Sequence, residues 1–399
     1  MEQKEEMLRG LLVLDLTNNL AGPAAGHLLA QHGAEVIHIE KPVVGDDCRY
    51  FPPMVGGMST AHMWENQGKK SIVLDLKDAR AQEALRRMIQ KADILIESYR
   101  PGVMDKLGFG YEAARALNPR LIYCSVSAFG HSGPDARKPG YDIIAQARAG
   151  IMYMTGEPDG SPTKVALTIG DYVGAINALG GIMTALYHRE RSGLGQHVDV
   201  SLVRGLMWFN GDYNYPVTGV PKRRTGNHAD NLCPYGVFNG KTESVVLGAV
   251  NLLTWQHLCE CMGREELIDD PRYRTNADRC AHSGEVITLV EDWLKGFDRI
   301  DDACALLDQA GVPAAKIKSP DEVYLDPHAR ACGWIRDIPT PDGIAPAELP
   351  GGVGLVEFSG GSYRLGRAPK LGEHNISVLT RFGFAEAEVQ QWEADWART

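Results

Sequence analysis

Among the 399 residues no uninterrupted apolar run reaches the roughly 18 positions that a membrane-spanning helix needs. The first residues, Met1-Glu2-Gln3-Lys4-Glu5-Glu6, are charged and hold no apolar core of the kind a secretory signal carries. Basic charge is short: 41 Lys and Arg against 51 Asp and Glu leave a net charge of −10, which argues against a general nucleic-acid binder. The eight cysteines are scattered, and the one near pair, Cys259 and Cys261, is C-x-C rather than the zinc-type C-x-x-C. They read as free thiols in a reducing compartment, so the expected location is the cytoplasm. The twelve histidines form neither H-x-x-x-H nor H-E-x-x-H, and no metal site is expected. Repeats and low-complexity segments are absent.

What remains is an ordinary globular composition, 44% hydrophobic and 23% charged, long enough for two domains or one large one with an insertion. Residues 11–16 read as a strand. Pro23 suits the first turn of a helix that runs on to Gly33. A second strand follows at 34–40, completing a βαβ unit. The alternation continues with strands at 71–75, 93–97 and 121–126 and helices at 79–90 and 111–117. Strands alternating with helices predict a parallel sheet covered on both faces, with ligands at the carboxyl ends of the strands.

The loops after those strands are 17–23, 41–49, 75–77, 98–106 and 127–142. In or beside them fall Lys41, Arg49, Lys69, Lys70, Lys77, Arg100, Lys106, Arg137 and Lys138. Solvated surface is the ordinary reading of such residues. Their concentration at one edge of an acidic chain favours a polyphosphate ligand. Glu40 stands where a dinucleotide fold places its ribose-binding acid. The turn Thr17-Asn18-Asn19-Leu20-Ala21-Gly22-Pro23 nevertheless lacks G-x-G-x-x-G and puts a proline where backbone N–H groups should meet pyrophosphate, which argues against a nicotinamide or flavin site.

The stretch Thr168-Ile169-Gly170-Asp171-Tyr172-Val173-Gly174 opens a helix of small residues that runs to Gly193. Gly174, Gly180 and Gly181 each cost roughly 1 kcal/mol relative to Ala inside a helix, so a close approach by a backbone or ligand is expected there. Asp171 sits at the N-terminus, where the helix dipole and free N–H groups favour a carboxylate. A plain cap is the modest reading of it, and a chemical role the sharper one. Further on, 197–202 reads as a strand, 213–232 as an irregular linker, and 235–238 with 244–250 as a strand pair. Helices are expected near 252–262, 285–296, 301–311, 374–382 and 385–396. The expected domains are a large Rossmann-like α/β unit (1–212), the linker, a small α+β domain (233–330) and a C-terminal return to the large unit (331–399). Trp64, Trp208, Trp255 and Trp334 are expected in the core.

These stretches, taken in order and spacing, resemble the family III CoA-transferases over nearly the whole chain. They are Leu14-Asp15-Leu16-Thr17 with Ala21-Gly22-Pro23, 33–40, Gly45-Asp46, Lys70 to Lys77, Arg100-Pro101-Gly102, 118–123, Pro139 to Asp142, Gly170-Asp171, Gly193 to Gln196 and Leu371 to His374. The resemblance implies Asp171 as the nucleophile. It implies coenzyme A contacts at Asn19, Leu20, Lys41, Leu74, Lys77, Ser98, Arg100, Lys106 and Asp142. It also implies an interlocked-ring homodimer, with acyl-CoA and a carboxylic acid as substrates and no permanently bound cofactor. Leu20 stands where formyl-CoA transferases carry a glutamine, which makes formate and oxalate poor acids here, and the glycine-rich covering loop of those enzymes is missing.

A carboxylate nucleophile conserves thioester energy through a covalent relay. Each step develops an oxyanion, and the N–H groups of Gly170 and Gly174 are expected to face it. An α-methylacyl-CoA racemase shares the fold but needs a His before the acid of the Gly140-Tyr141-Asp142 turn. Tyr141 occupies that place, and a tyrosine with pKa near 10 is a poor base at neutral pH. A non-catalytic CoA-binding homologue is the remaining alternative.

Overall fold

A computed structural model describes residues 5–211, 214–344 and 346–397. The first four residues of the chain and the 212/213 domain boundary therefore lie outside the described residues. The chain divides into two compact units: Met1–Ile151, Val165–Gly211 and Asp326–Thr399 form one, and Met152–Lys164 with Asp212–Leu325 the other.

The larger unit is built on a six-stranded sheet. Its strands are β1 (Leu12–Leu16), β2 (Glu35–Glu40), β3 (Lys70–Val73), β4 (Ile94–Glu97), β5 (Ile122–Ser127) and β6 (His197–Ser201). All pairings are parallel, in the order β3-β2-β1-β4-β5-β6. This is a doubly wound sheet whose direction of growth reverses between β1 and β4, and such reversals open a crevice at the strands' carboxyl ends. The helices used below are α1 (Ala21–Gln31), α2 (Thr60–Glu65), α3 (Ala79–Ile89), α4 (Tyr111–Leu117), α5 (Asp142–Arg148), α6 (Ile169–Ser192) and α7 (Leu202–Phe209).

The two-residue period of a strand sends successive side chains to opposite faces. Leu14, Leu16, Ile37, Leu95 and Tyr123 join one core with α3, α4 and the C-terminal helix Glu386–Trp396. Val13, Val36, Ile94, Ile96 and Cys124 join the other, under α1 and α6. Each fully buried aliphatic side chain contributes about 1.5–3 kcal/mol, so covering both faces is what fixes the sheet. The C-terminal segment adds specific bonds: Asn375 Oδ1 accepts the Val73 N–H at 2.7 Å, and Ser71 Oγ accepts that of Gly372 at 2.9 Å.

Helix α6 is 24 residues long, and by length and composition it could cross a membrane. That amends the expectation drawn from uninterrupted runs. Here it packs in the core against α1, and its Arg189 is buried and paired with Asp93 at 3.1 Å. Its glycines divide. A Cβ on Gly174 would collide with Leu202, and one on Gly181 would stand 2.6 Å from Val198, while Gly180 faces open space. The first two are therefore tightly packed, but by side chains rather than by the backbone or ligand that was expected.

The smaller unit holds a three-stranded antiparallel sheet, Tyr235–Asn239, Ser244–Gly248 and Ala314–Lys316. Its third strand is too short to show as an alternating pattern. Helices Leu252–Met262, Ser283–Leu294 and Ile300–Gln309 close its core around Trp255. The segment read as irregular contains a short helix, Asn214–Thr218, which admits Pro216 because the proline falls in its first turn. Trp255 is fully buried, but Trp208 and Trp334 are exposed, contrary to expectation.

Candidate active site

Asp171 lies in the first turn of α6, three residues past the cap position Thr168, which offers no side-chain bond to the helix. Another helix supplies the cap. Asp142, the first residue of α5, accepts the Gly170 N–H on Oδ1 at 2.7 Å and the Gln146 side-chain N–H on Oδ2 at 2.7 Å. Both oxygens of Asp142 are thus engaged within the protein. The Gly170 amide is consumed by this bond, and that of Gly174 lies inside the helix ladder. Neither is available to an oxyanion, which corrects the expectation for these two glycines. The reason is the helix start two residues earlier, at Ile169.

The Asp171 carboxylate has neither hydrogen bond nor ion pair among the described residues. The helix dipole favours its anion. Burial acts more strongly the other way, followed by the negative charges of Asp142 and Glu65, and the carboxyl is pushed up to about 7. Glu65, the last residue of α2, is almost wholly buried and receives the Tyr172 hydroxyl at 2.7 Å. Burial lifts its carboxyl to about 7 as well, against the opposing pull of Tyr172 and Lys69.

The start of α1 packs on this point: Ala21 Cβ lies 3.8 Å from where a Cβ on Gly174 would sit. Asn19 and Leu20 immediately precede α1, at the end of it that meets α6. Asn18 N–H donates to Ser98 Oγ at 2.9 Å, which ties the β1 loop to the β4 loop at the switch point. Ser98 is thus tied to the loop that holds Asn19 and Leu20, and Asp142 to the turn that holds Asp171. Lys41, Leu74, Lys77, Arg100 and Lys106 lie farther out along the same edge, after β2, β3 and β4. Leu74 is buried, whereas Lys77, Arg100 and Lys106 are exposed and have no acidic partner among the described residues. Lys41 lies 3.4 Å from Asp47 at the surface. Arg100 lines a cavity of about 120 Å³ with Glu97, Ser125 and His131.

Other basic residues do not serve this edge. Lys69 is buried and bonds Asp15 at 2.9 Å, the Pro23 carbonyl at 2.8 Å and Asn66 at 2.8 Å. Arg49 grips Glu40 through two bonds, 2.7 and 2.6 Å, and Glu40 also takes the Ser71 hydroxyl. Glu40 is thus spent inside the fold and cannot meet a ribose. Lys70 pairs with Glu35 at 2.6 Å. Lys138 pairs with Asp135 at 2.6 Å.

These contacts belong to a buried network that the motif reading missed. His38 lies 3.3 Å from Asp15 and 3.5 Å from Asp46. Burial lowers its basicity, but Asp15 and Glu40 outweigh that and raise it to about 10, so it is an imidazolium. Lys69, Arg49 and His38 together balance Asp15, Glu40 and Asp46. One output of the network is local geometry: Asp46 Oδ1 accepts the Asn19 N–H at 2.8 Å, holding Asn19 at a φ of 70°, a left-handed conformation rare outside glycine. The available signal was Asp15 and His38 within strands whose neighbouring positions are apolar.

A sequence model of CoA-transferase family III matches residues 8–375. The succinate–glutarate CoA-transferase of Agrobacterium fabrum is 38% identical over 390 residues, covering 95% of this chain and 96% of that one. The acetyl-CoA:oxalate CoA-transferase of Acetobacter aceti is 38% identical over 385 residues, covering 95% and 96%. The crystal structure of a CaiB/BaiF family protein from Brucella suis superposes with a TM-score of 0.84 at 35% identity, covering 95% of this chain and all of that one.

Proposed function

The chain belongs to CoA-transferase family III, an enzyme family acting on CoA thioesters, and from that premise we propose that Asp171 carries the transferred group covalently. The observation behind this reading is a half-buried carboxylate in the first turn of α6 that has no cation or donor of its own among the described residues. Asp171 attacks the donor thioester carbonyl, forming a mixed anhydride and expelling CoA thiolate. The thiolate attacks the aspartyl carbonyl and releases the donor acid as its carboxylate, leaving an aspartyl-CoA thioester. The acceptor carboxylate attacks that thioester, giving a second anhydride and thiolate again. The thiolate then attacks the acceptor carbonyl, forming the new acyl-CoA and returning Asp171. No hydrolysis intervenes, so the thioester energy is kept.

Lys77, Arg100 and Lys106 are the exposed cations at the strand ends and hold the CoA phosphates in this reading, with Lys41 beside them. CoA enters and leaves as substrate. The preferred acids are short dicarboxylates of the succinate and glutarate type, as the name of the Agrobacterium relative states for that enzyme. Leu20 gives a smaller, wholly polar acid such as formate or oxalate nothing to bond. The working form is a homodimer with threaded chains. Met207, Trp208 and Phe209 of α7 stand 60%, 81% and 56% exposed, an apolar face that a second copy would cover. Free thiols throughout suit the cytoplasm.

Asp171→Asn tests the chemical step. Turnover should vanish while acyl-CoA binding persists, because the amide keeps size and loses nucleophilicity. Turnover near wild type would reduce Asp171 to a structural residue of the helix start.

A further inference from the structure

The reaction centre holds more negative charge than its chemistry needs. Asp171 must be ionised to attack, yet the charges of Asp142 and Glu65 both act on it, and no cation among the described residues offsets them. Asp142 is already committed elsewhere, because both of its oxygens accept N–H groups. Glu65 is different. It is buried at the end of α2, and among the described residues its carboxylate takes a hydrogen bond from a hydroxyl, a group that can donate or accept. That hydroxyl belongs to Tyr172, the residue next to Asp171 on α6.

We propose that Glu65 and Tyr172 form a positioning pair for Asp171, in which Glu65 takes up the proton that Asp171 must lose and the Tyr172 hydroxyl sets which carboxyl holds it. When Tyr172 donates to Glu65, the glutamate is the anion and Asp171 keeps the proton. When the proton passes to Glu65, the hydroxyl turns to accept from it and Asp171 becomes the carboxylate. One O–H bond breaks and one forms, so no charge is created in the cluster. The other groups facing Glu65 do not compete for this role. Lys69 is held by Asp15 and Asn66, and Asp46 by the Asn19 and Cys48 amides. Like-charge pairs of this kind titrate as a unit. The assignment rests on Asp171 as nucleophile.

The test is the pH profile of kcat/KM for the wild type, Glu65→Gln and Tyr172→Phe. Glu65→Gln keeps the shape and the hydrogen bond and removes the charge, so the acidic limb should move down by about 0.5–1 pH unit. Tyr172→Phe withdraws the donor that favours the glutamate anion and should move the limb in the same direction. Combined, they should shift it no further than Glu65→Gln alone. A purely structural role would lower melting temperature or scale kcat at every pH without moving the limb, and an unmoved limb in both variants overturns the proposal. Tyr172 is two-fifths exposed, so its variant stays informative if Glu65→Gln fails to fold. Inactive Asp171→Asn beside an unmoved limb refutes the pair alone, whereas active Asp171→Asn refutes the nucleophile on which it rests.

Discussion

Asp142 Oδ1 accepts the backbone N–H of Gly170 at 2.7 Å, so the helix that carries Asp171 is closed by a side chain from another helix. This bond fixes where the α6 helix starts and therefore where Asp171 stands. Asp142→Ala should cost about 1–2 kcal/mol of stability, the usual value of a lost cap. It should lower kcat at least about tenfold through misplacement of the nucleophile, with KM for the acyl-CoA little changed. Steady-state kinetics would show a raised KM at intact kcat if Asp142 instead contacts CoA.

Asp171 should weaken the fold it serves. Its folded-state value of about 7 lies above the ordinary 3.8, so folding takes up a proton there. The carboxyl is harmless below pH 4 and destabilises increasingly as pH rises towards 7, with no further change above. Asp171→Asn should therefore unfold later in urea than the wild type by about 1–3 kcal/mol at pH 8, with the gain disappearing near pH 4. A wild type more stable than the variant at pH 8 would show that the carboxylate has a partner.

Lys69 carries a larger structural load than its sequence position suggests. Lys69→Met leaves Asp15 charged, buried and without its cation, which should cost about 3–5 kcal/mol. Denaturant titration reads this directly, and a loss under about 1 kcal/mol would mean that His38 alone neutralises Asp15.

Lys77→Ala and Lys106→Ala should raise KM for acyl-CoA severalfold at low ionic strength, with kcat nearly unchanged. The effect should shrink as added salt screens exposed charges. Melting temperatures should stay put, since neither side chain has an acidic partner among the described residues. KM unchanged in both would remove these lysines from the phosphate site.

The sheet was legible because strands buried on both faces leave continuous apolar runs, and the place of Asp171 in the first turn of α6 because Gly170-Asp171 opens a helix unusually rich in glycine. What stayed hidden were pairings between distant positions. No spacing links Glu65 to Tyr172, Lys69 to Asp15 or Asp142 to Gly170, because those contacts arise only when α2, α5 and α6 pack at the sheet edge. Basic residues near strand ends looked alike in the sequence, and only burial separates Lys69 and Arg49, held inside, from Lys77 and Lys106, which are exposed. Oxyanion donors were placed on Gly170 and Gly174 because the start of α6 is set by Asp142, not by a local cap signal.

The covalent role of Asp171 is open to direct capture. The native enzyme would be incubated with succinyl-CoA, quenched with hydroxylamine or borohydride, digested and read by mass spectrometry. The peptide spanning Asp171 should carry a hydroxamate after the first reagent, or an alcohol in place of the carboxyl after the second. Neither should appear in Asp171→Asn or without acyl-CoA. An unmodified Asp171 peptide under turnover, in an enzyme that still exchanges CoA between acids, would contradict the covalent relay.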